Sequence, residues 1–318
     1  MRSITGWSRR LFPFIYFTVA PLLPLAFDVN SVKNFRAVVP GVIYRSATLD
    51  GLSDKDAQSL LDGSALGKPL AAVIDLRNDD EIRKGKLDRG DGADFFYSSL
   101  LDRSTMDYFG SDAPVLIHRP LLRDVNAFWE EAIGRMDPLE RLGATFQTAF
   151  SGGALDRAAA KNLEKGGPSE LYTVMMASSP RAVASAMRSC AEESSRGAVI
   201  FHCQKGKDRT GVLGMLVQTC LGVSDTEILE AYGASGDLLG GEDSTASRNA
   251  VANGDNGGGG KGGMIDWSCF RGSPPSAMKE TLEWTRRRYG SVENYLETGS
   301  FDVEEQREFR RILLNLSS

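Results

Sequence analysis

The chain contains few of the residues that build metal sites. Its 318 residues include four cysteines and two histidines, and the cysteines form neither a CxxC pair nor a zinc-binding spacing. We therefore expect no metal and no cofactor. The net charge of −5 argues against nucleic acid as a partner, because domains that bind nucleic acid are usually basic. With 42% hydrophobic residues, the chain can bury one large core.

The segment from His202 to Gly211 reads HCQKGKDRTG and joins a predicted strand to a predicted helix. Residues 197–201 are a short apolar run, and apolar side chains recur at helical spacing after the segment. At such a junction, backbone N–H groups and the positive end of the helix dipole face one point, which suits a bound phosphate. Cys203 lies in the same field, which favours the nucleophilic thiolate. The segment therefore predicts a phosphate-binding loop that carries a nucleophile.

Arg209 is expected to bind the phosphoryl group during its transfer. Its planar guanidinium can hold two equatorial oxygens at once, which a lysine cannot do. Attack by the sulfur of Cys203 on phosphorus would give a thiophosphate intermediate, which water then hydrolyses. The other loop residues expected to bind phosphate are Gln204, Lys205, Gly206, Lys207 and Thr210. The alternative for the two lysines is a solvated charge pair, and Thr210 either bonds the thiolate or caps the following helix.

The string HCQKGKDRTG resembles the signature loop of the protein tyrosine phosphatase superfamily, in particular its atypical branch with the loop HCxxGKDRTG. The similarity extends to residues 34–46, to the string VIDLR at 73–77 and to residues 289–299, and it covers the chain from about residue 28 to the end. The resemblance implies a phosphatase without metal. Its substrate would be a phosphorylated protein, with phosphotyrosine as one candidate, or a phosphoinositide or inositol phosphate.

The expected fold class is α/β, with a central, mainly parallel sheet flanked by helices, as in cysteine-dependent phosphatases. Strands are predicted near residues 42–45, 71–76, 93–100 and 197–202, alternating with helices. Ser179-Pro180 predicts a helix start, and Ser224 with Glu227 predicts a capping box. Further helices are predicted before Gly290 and at the C-terminus.

A general acid must protonate the leaving group of a phosphate monoester. No aspartate lies between Asp156 and Cys203. Asp208, inside the loop, is the local candidate, and the resembling branch is understood to use that position. The alternative is that Asp208 pairs with a neighbouring cation and only stiffens the loop. Its rivals lie on a separate segment and are Asp102, Asp107 and Asp112.

Three further side chains are expected near the loop. Asp75 and Arg77 end a predicted strand, where ligands gather in parallel sheets, and the alternative is a buried ion pair that steadies the loop. His202 is expected to donate a hydrogen bond that shapes the loop, because it precedes the nucleophile on a strand. Of the remaining cysteines, Cys190 and Cys220 fall on apolar helical faces and are expected in the core.

Two segments depart in composition from the phosphatase domain expected at 28–318. Residues 11–27 are uncharged and follow three arginines, so they are a candidate targeting or membrane-association segment, and an apolar arm folded onto the domain is the alternative. Residues 235–263 are rich in glycine, and we expect disorder there, because they have too little apolar surface to bury. Some resembling bacterial phosphatases have a helical lid in that interval.

Two functions of other classes also fit a cysteine in such a loop. One is a sulfurtransferase of the rhodanese type, and the other is a catalytically silent phosphate-binding module. The string GKDRTG favours the phosphatase over the first, and the presence of Cys203, Asp208 and Arg209 together disfavours the second. A catalytic thiolate must stay reduced, so the cytoplasm or an organelle stroma is favoured over an oxidising compartment.

Overall fold

The structure is a computed structural model, and it describes residues 29–102, 112–150, 152–239 and 265–317. Among these residues, six strands form one sheet. The strands are β1 (Arg36–Val39), β2 (Ile43–Ser46), β3 (Leu70–Asp75), β4 (Leu101–Asp102), β5 (Val115–His118) and β6 (Ala198–His202).

Twelve α-helices lie within the described ranges. They are α1 (Asp54–Leu61), α2 (Asp79–Leu87), α3 (Asp91–Ser98), α4 (Val125–Gly134), α5 (Pro138–Thr148), α6 (Ala154–Ser178), α7 (Pro180–Ser194), α8 (Asp208–Leu221), α9 (Asp225–Leu238), α10 (Pro275–Tyr289), α11 (Val292–Thr298) and α12 (Val303–Ser317). Helix α6 is kinked at Gly167, where φ is +63°. None of the helices in the described ranges has the length and apolar character needed to cross a membrane.

The sheet has the strand order β1-β2-β6-β3-β5-β4. Only β1 and β2 pair in antiparallel fashion, and the other neighbours are parallel, which confirms the predicted mainly parallel sheet. Parallel strands end at the same edge, and Asp75 lies in register with both His202 and His118. The C-terminal ends of three adjacent strands therefore form one row, and the segment that follows β6 carries Cys203.

Both faces of the sheet are covered, because the side chains of the central strands alternate between two cores. Val73 and Ile200 pack on the face that α1 and α3 cover. Ile74 and Phe201 pack on the opposite face, which α7 and α8 cover. The parallel strands are buried on both sides, as expected for an α/β sheet.

The strand predicted near residues 93–100 is wrong, because Asp91–Ser98 is helix α3. Ala93 and Phe96 are buried while Asp94 and Phe95 are exposed, which is a helical pattern. The aromatic residues of this segment favour strands in general. Here tertiary packing overrides that preference, because Ala93 and Phe96 pack in one core with Ala57 and Leu60 of α1.

The predicted helix starts and stops agree with the structure. Helix α7 begins at Pro180, and Ser224 forms the capping box of α9 with Glu227. Helix α10 ends at Gly290, whose φ is +84°. Residues 235–238 form the last turn of α9, so the glycine-rich interval begins later than expected. Its remainder, at 240–263, lies outside the described residues, as does the N-terminal segment 1–27.

Candidate active site

The loop 203–207 connects the end of β6 to the start of α8. The Cys203 side chain is buried at this junction, and the residue is 1% exposed. Gly206 has a φ of +64°, and a Cβ there would lie 2.3 Å from the carbonyl oxygen of Ser46. Only glycine combines this left-handed backbone with so close an approach to β2, so Gly206 sets the curvature of the loop.

The carbonyl groups of the loop are anchored on its outer side by residues near β1 and β2. Asn34 Nδ2 donates to the oxygens of Lys205 and Gly206 at 3.2 and 2.8 Å, Arg45 Nη2 donates to the oxygen of Gly206 at 2.6 Å, and the N–H of Thr48 donates to the oxygen of Gln204 at 3.1 Å. Holding these carbonyls on the outer side of the loop turns the opposite side of the same peptide units, which carries the N–H groups, toward the position of an anion, as in backbone nests.

A second tier of contacts holds these anchors in place. Arg36 donates to Asn34 Oδ1, to the oxygen of Ala231 at 2.8 Å and to Ser235 Oγ at 2.7 Å. Burial lowers the pKa of Arg36, and the neighbouring charge of Arg45 adds to that effect. Asn34 and Arg36 lie in the segment 34–46 that carries the resemblance, but the sequence alone predicts no role for them.

Arg209 lies in the first turn of α8 and pairs with Glu81 of α2. Its Nη1 and Nη2 donate to the two carboxylate oxygens of Glu81 at 2.5 and 2.6 Å. Burial of the guanidinium acts to lower the pKa of Arg209, but the hydrogen bonds to Glu81 and the charge of Cys203 raise it above its usual range. Since the guanidinium has five N–H groups, its Nε edge can still hold two oxygens of a phosphate.

Glu81 is a residue of the site that was not predicted from the sequence. Its Oε2 accepts a hydrogen bond from the backbone N–H of Asn78 at 2.9 Å, as the N3 residue of a capping box at the start of α2. The pattern Asn78-x-x-Glu81 directly after Arg77 is a helix-start signal. From this pattern, a carboxylate could have been predicted beside the C-terminal edge of the sheet. The pattern does not indicate that this carboxylate pairs with Arg209.

Asp208 begins α8, and its side chain is 28% exposed. The hydroxyl of Tyr172 donates to Asp208 Oδ1 at 2.7 Å, and it lies 2.7 Å from the hydroxyl of Tyr232. Burial raises the pKa of Tyr172 well above its usual range, and the charge of Asp208 adds to the effect. Tyr172 therefore stays protonated and orients the Asp208 carboxyl.

Of the three rival acids, the two that the structure describes, Asp102 and Asp112, are not brought to the loop. Asp102 ends β4, three strands from β6, which is about 14 Å at the usual strand spacing. Asp112 precedes β5 and so lies toward the opposite edge of the sheet, because β5 and β6 run in the same direction as β3. Asp107 lies outside the described residues.

The two lysines of the loop differ. Lys205 is exposed, as is Gln204, whereas Lys207 is buried and donates from Nζ to the oxygen of Phe270 at 2.6 Å. Lys207 Nζ also lies 3.9 Å from Asp208 Oδ1, so it is not part of a solvated charge pair. The hydroxyl of Thr210 is buried without a hydrogen-bond partner in the described part of the chain, so neither bond expected of it is formed.

Asp75 and Arg77 form a buried ion pair beneath the site. Arg77 Nη2 lies 2.8 Å from Asp75 Oδ2, and its Nη1 bonds to Asp50. Arg89 completes the cluster through a 2.8 Å contact with Asp50. Burial acts to raise the pKa of Asp75, but His202 and Arg77 lower it to about 2. The geometry matches the ion-pair alternative, because Arg77 directs its N–H groups at carboxylates and Thr48.

His202 is fully buried, and its Nε2 lies 3.7 Å from Asp75 Oδ2. Burial lowers the pKa of His202 below its usual range, so the ring is neutral near pH 7. Cys190 and Cys220 are buried in the core as predicted, and burial raises the pKa of each thiol to about 12. They are therefore unreactive, whereas the remaining cysteine, Cys269, is exposed.

A parallel sheet with a cysteine loop at its C-terminal edge and an arginine in the following helix is the arrangement of a protein-tyrosine-phosphatase-like hydrolase. Residues 28–315 match the family model described as "Tyrosine phosphatase family". The chain therefore belongs to the tyrosine phosphatase family.

The chain is also similar to a solved structure, the crystal structure of a cysteine-to-serine variant of P. aeruginosa TpbA in complex with pTyr. The match has 16% sequence identity and a TM-score of 0.32, and it covers 78% of this chain and 96% of that chain. No curated protein matches the chain significantly.

Proposed function

We propose that this phosphatase is a cysteine-dependent phosphomonoesterase in which Cys203 is the nucleophile, Arg209 binds the phosphoryl group and Asp208 is the general acid. The observation that carries the proposal is the outward anchoring of the loop carbonyls by Asn34 and Arg45. This anchoring turns the backbone around Cys203 into a ring of donors at a helix N-terminus. Such a ring suits a phosphoryl group whose charge is spread over three oxygens.

Two displacements at phosphorus make up the reaction. In the first, the Sγ of Cys203 bonds to phosphorus as the bond to the leaving oxygen breaks, and Asp208 donates a proton to that oxygen. In the second, the Asp208 carboxylate takes a proton from water, whose oxygen attacks phosphorus. The sulfur–phosphorus bond then breaks and releases inorganic phosphate and the thiolate.

The proposed substrates are phosphorylated proteins, with phosphotyrosine first, or phosphoinositides and inositol phosphates. Membership of the tyrosine phosphatase family supports the first class. The exposed side chain of Lys205 supports capture of a polyanion, because a cation at the rim attracts it. A panel of these phosphates assayed on the full chain decides between the classes.

The substitution Cys203→Ser tests the nucleophile. We expect it to lower phosphate release by about 10⁴-fold or more, the scale typical of losing a nucleophile, while phosphate binding persists because the backbone donors remain. Cys220→Ser is the matched control, since it removes a buried thiol near the C-terminal end of α8, away from the loop. Mass spectrometry of the acid-quenched wild-type reaction should detect phosphate on Cys203.

Residual turnover of Cys203→Ser within tenfold of the wild type would contradict the assignment. Thiosulfate consumption by the wild type, without phosphate release, would support the sulfurtransferase alternative. Phosphate binding without either activity would support the silent phosphate-binding module.

A further inference from the structure

A cavity of about 510 Å³ opens at the same edge of the sheet as the catalytic loop. One group of lining residues comes from the end of β5 and the segment after it, and a second group comes from the junction of α6 and α7. They are His118, Arg119, Pro120, Arg123 and Asp124, and Ser178, Ser179, Pro180, Arg181, Ala182 and Ser185. His118 lies in register with Asp75, and Asp75 with His202. At about 4.8 Å per strand, the two loops begin about 10 Å apart. The cavity is therefore a neighbour of the proposed active site.

Three arginines line this cavity, namely Arg119, Arg123 and Arg181. Within the described ranges none of them has a carboxylate partner, and Arg123 and Arg181 are exposed. The carboxylate in the lining belongs to Asp124, which accepts from the N–H of Ala127 at 3.0 Å as the cap of α4. The cavity thus combines three guanidinium groups with one carboxylate that is already engaged.

The arginine nearest the sheet is fixed in position. Arg119 donates from Nε to Ser189 Oγ and from Nη1 to the oxygen of His118, both at 3.1 Å. These two bonds leave N–H groups on the guanidinium that can face a ligand. The opposite wall begins at the N-terminus of α7, where Ser179 makes no side-chain cap, so the positive end of that helix adds to the field.

We propose that this cavity binds a second phosphate group of a substrate whose first phosphate enters the Cys203 loop. The proposal rests on the proposed function and deepens it, because it makes the preferred substrate one that carries two phosphates. Phosphate is the anion that fits, since several guanidinium forks can share its oxygens in paired hydrogen bonds. The spacing of about 10 Å between the loops suits two phosphates on one extended or cyclic ligand.

Calorimetric titration with inorganic phosphate tests the site apart from catalysis. The full-length Arg209→Ala variant weakens the catalytic loop, and we expect it to keep one phosphate site. Adding Arg123→Ala and Arg181→Ala should then weaken that remaining binding at least tenfold. Arg311→Ala is the charge-matched control, because Arg311 is exposed on α12 and pairs with Glu308. Equal binding with and without the two cavity substitutions would overturn the proposal, whether or not the chain turns over any substrate.

Steady-state kinetics of the variant with Arg123→Ala and Arg181→Ala, in which Arg209 is intact, then identify the class of substrate that carries the second phosphate. A phosphotyrosine peptide is compared with the same peptide carrying a second phosphate, and inositol 1-phosphate with inositol 1,4-bisphosphate. We expect Arg123→Ala with Arg181→Ala to lower kcat/KM at least tenfold more for the doubly phosphorylated member of one pair than for its partner. Equal losses in both pairs would overturn the role in substrate binding. Absence of turnover with every substrate would contradict the proposed function, while the titration would still decide on the cavity.

Discussion

Arg209 has five N–H groups, and Glu81 uses two of them. The carboxylate therefore orients the guanidinium without occupying its Nε edge. The interaction is charge-assisted and bidentate, so it fixes both the position and the plane of the guanidinium group. At the scale of single residues, Arg209, the arginine proposed to bind phosphate, is held by a partner from a different helix and not by the loop itself.

We predict that Glu81→Gln lowers kcat/KM for an aryl phosphate by about 10- to 100-fold, because a misplaced catalytic group typically costs about that much. The amide keeps the shape of the side chain but removes the charge that aligns Arg209. Steady-state kinetics check this, with Asp80→Asn as the control, since Asp80 is exposed and pairs with Arg83 on the same helix. A rise in phosphate affinity would instead mean that Glu81 competes with the substrate for Arg209.

The choice of leaving group distinguishes two roles for Asp208, namely a general acid and an ion-pair partner that only stiffens the loop. We predict that Asp208→Asn slows hydrolysis of an alkyl phosphate about 10² to 10⁴-fold, and that of an activated aryl phosphate far less, because the aryl oxide departs without a proton. Asp225→Asn is the control, since Asp225 is an exposed aspartate that pairs with Arg286 and lies outside the loop and the cavity. Similar losses for both substrates would remove Asp208 from the mechanism.

The loop itself depends on elements that precede it in the chain by more than 100 residues. Gly206 approaches the end of β2 so closely that its backbone and the carbonyl of Ser46 leave no space for a side chain. The antiparallel pair β1-β2 thus forms the outer wall of the loop. Any change that separates this pair from β6 disturbs the anion site without touching a catalytic residue.

We predict that Gly206→Ala lowers kcat/KM by at least about 10²-fold, the scale seen on losing one oxyanion donor, and also lowers Tm. Gly41→Ala is the matched control. Gly41 has a φ of +69°, but a Cβ there meets nothing within 4 Å, so it should show only the left-handed backbone cost of about 1–2 kcal/mol. If the two variants lost equal activity, backbone strain alone would explain the effect and the contact with Ser46 would not matter.

The segment from the last strand through the loop to α8 could be predicted from sequence, because its signals are local. The apolar run, Gly206 and the helical spacing after Thr210 all lie in one continuous stretch. The partners of the loop could not be predicted, since Asn34 is separated from Gly206 by 172 residues. The aromatic residues of α3 predict a strand, because aromatic residues favour strands in general. The segment is a helix because its packing against the rest of the protein outweighs this preference.

For the molecule as a whole, the buried charges beneath the site couple its stability to pH. Asp75 has a pKa of about 2 in the folded chain, against about 3.9 when unfolded. A lowered folded pKa stabilises the fold above the unfolded value, and this contribution is lost as the pH falls from about 4 to about 2. In total it amounts to about 2–3 kcal/mol.

We predict that Asp75→Asn is less stable than the wild type by about 3–5 kcal/mol near neutral pH, because Arg77 would then lose a buried partner. The difference should shrink by about 2 kcal/mol between pH 5 and pH 2. Urea unfolding at each pH measures it. Asp225→Asn, which breaks the exposed pair with Arg286, should change stability by less than about 1 kcal/mol. A gap that does not vary with pH would contradict the link to Asp75.

The distances along the chain between the loop and its anchors have a consequence for biosynthesis. Asn34 leaves the ribosome early, Cys203 much later, and Phe270, which accepts the hydrogen bond from Lys207, later still. Contacts of such long sequence separation form slowly, because the intervening chain must first be ordered. A nascent chain that ends before Phe270 contains Cys203 but lacks the acceptor that holds Lys207 in the loop. Under the proposed function, phosphatase activity should therefore appear only after Phe270 has left the ribosome and packed against the loop.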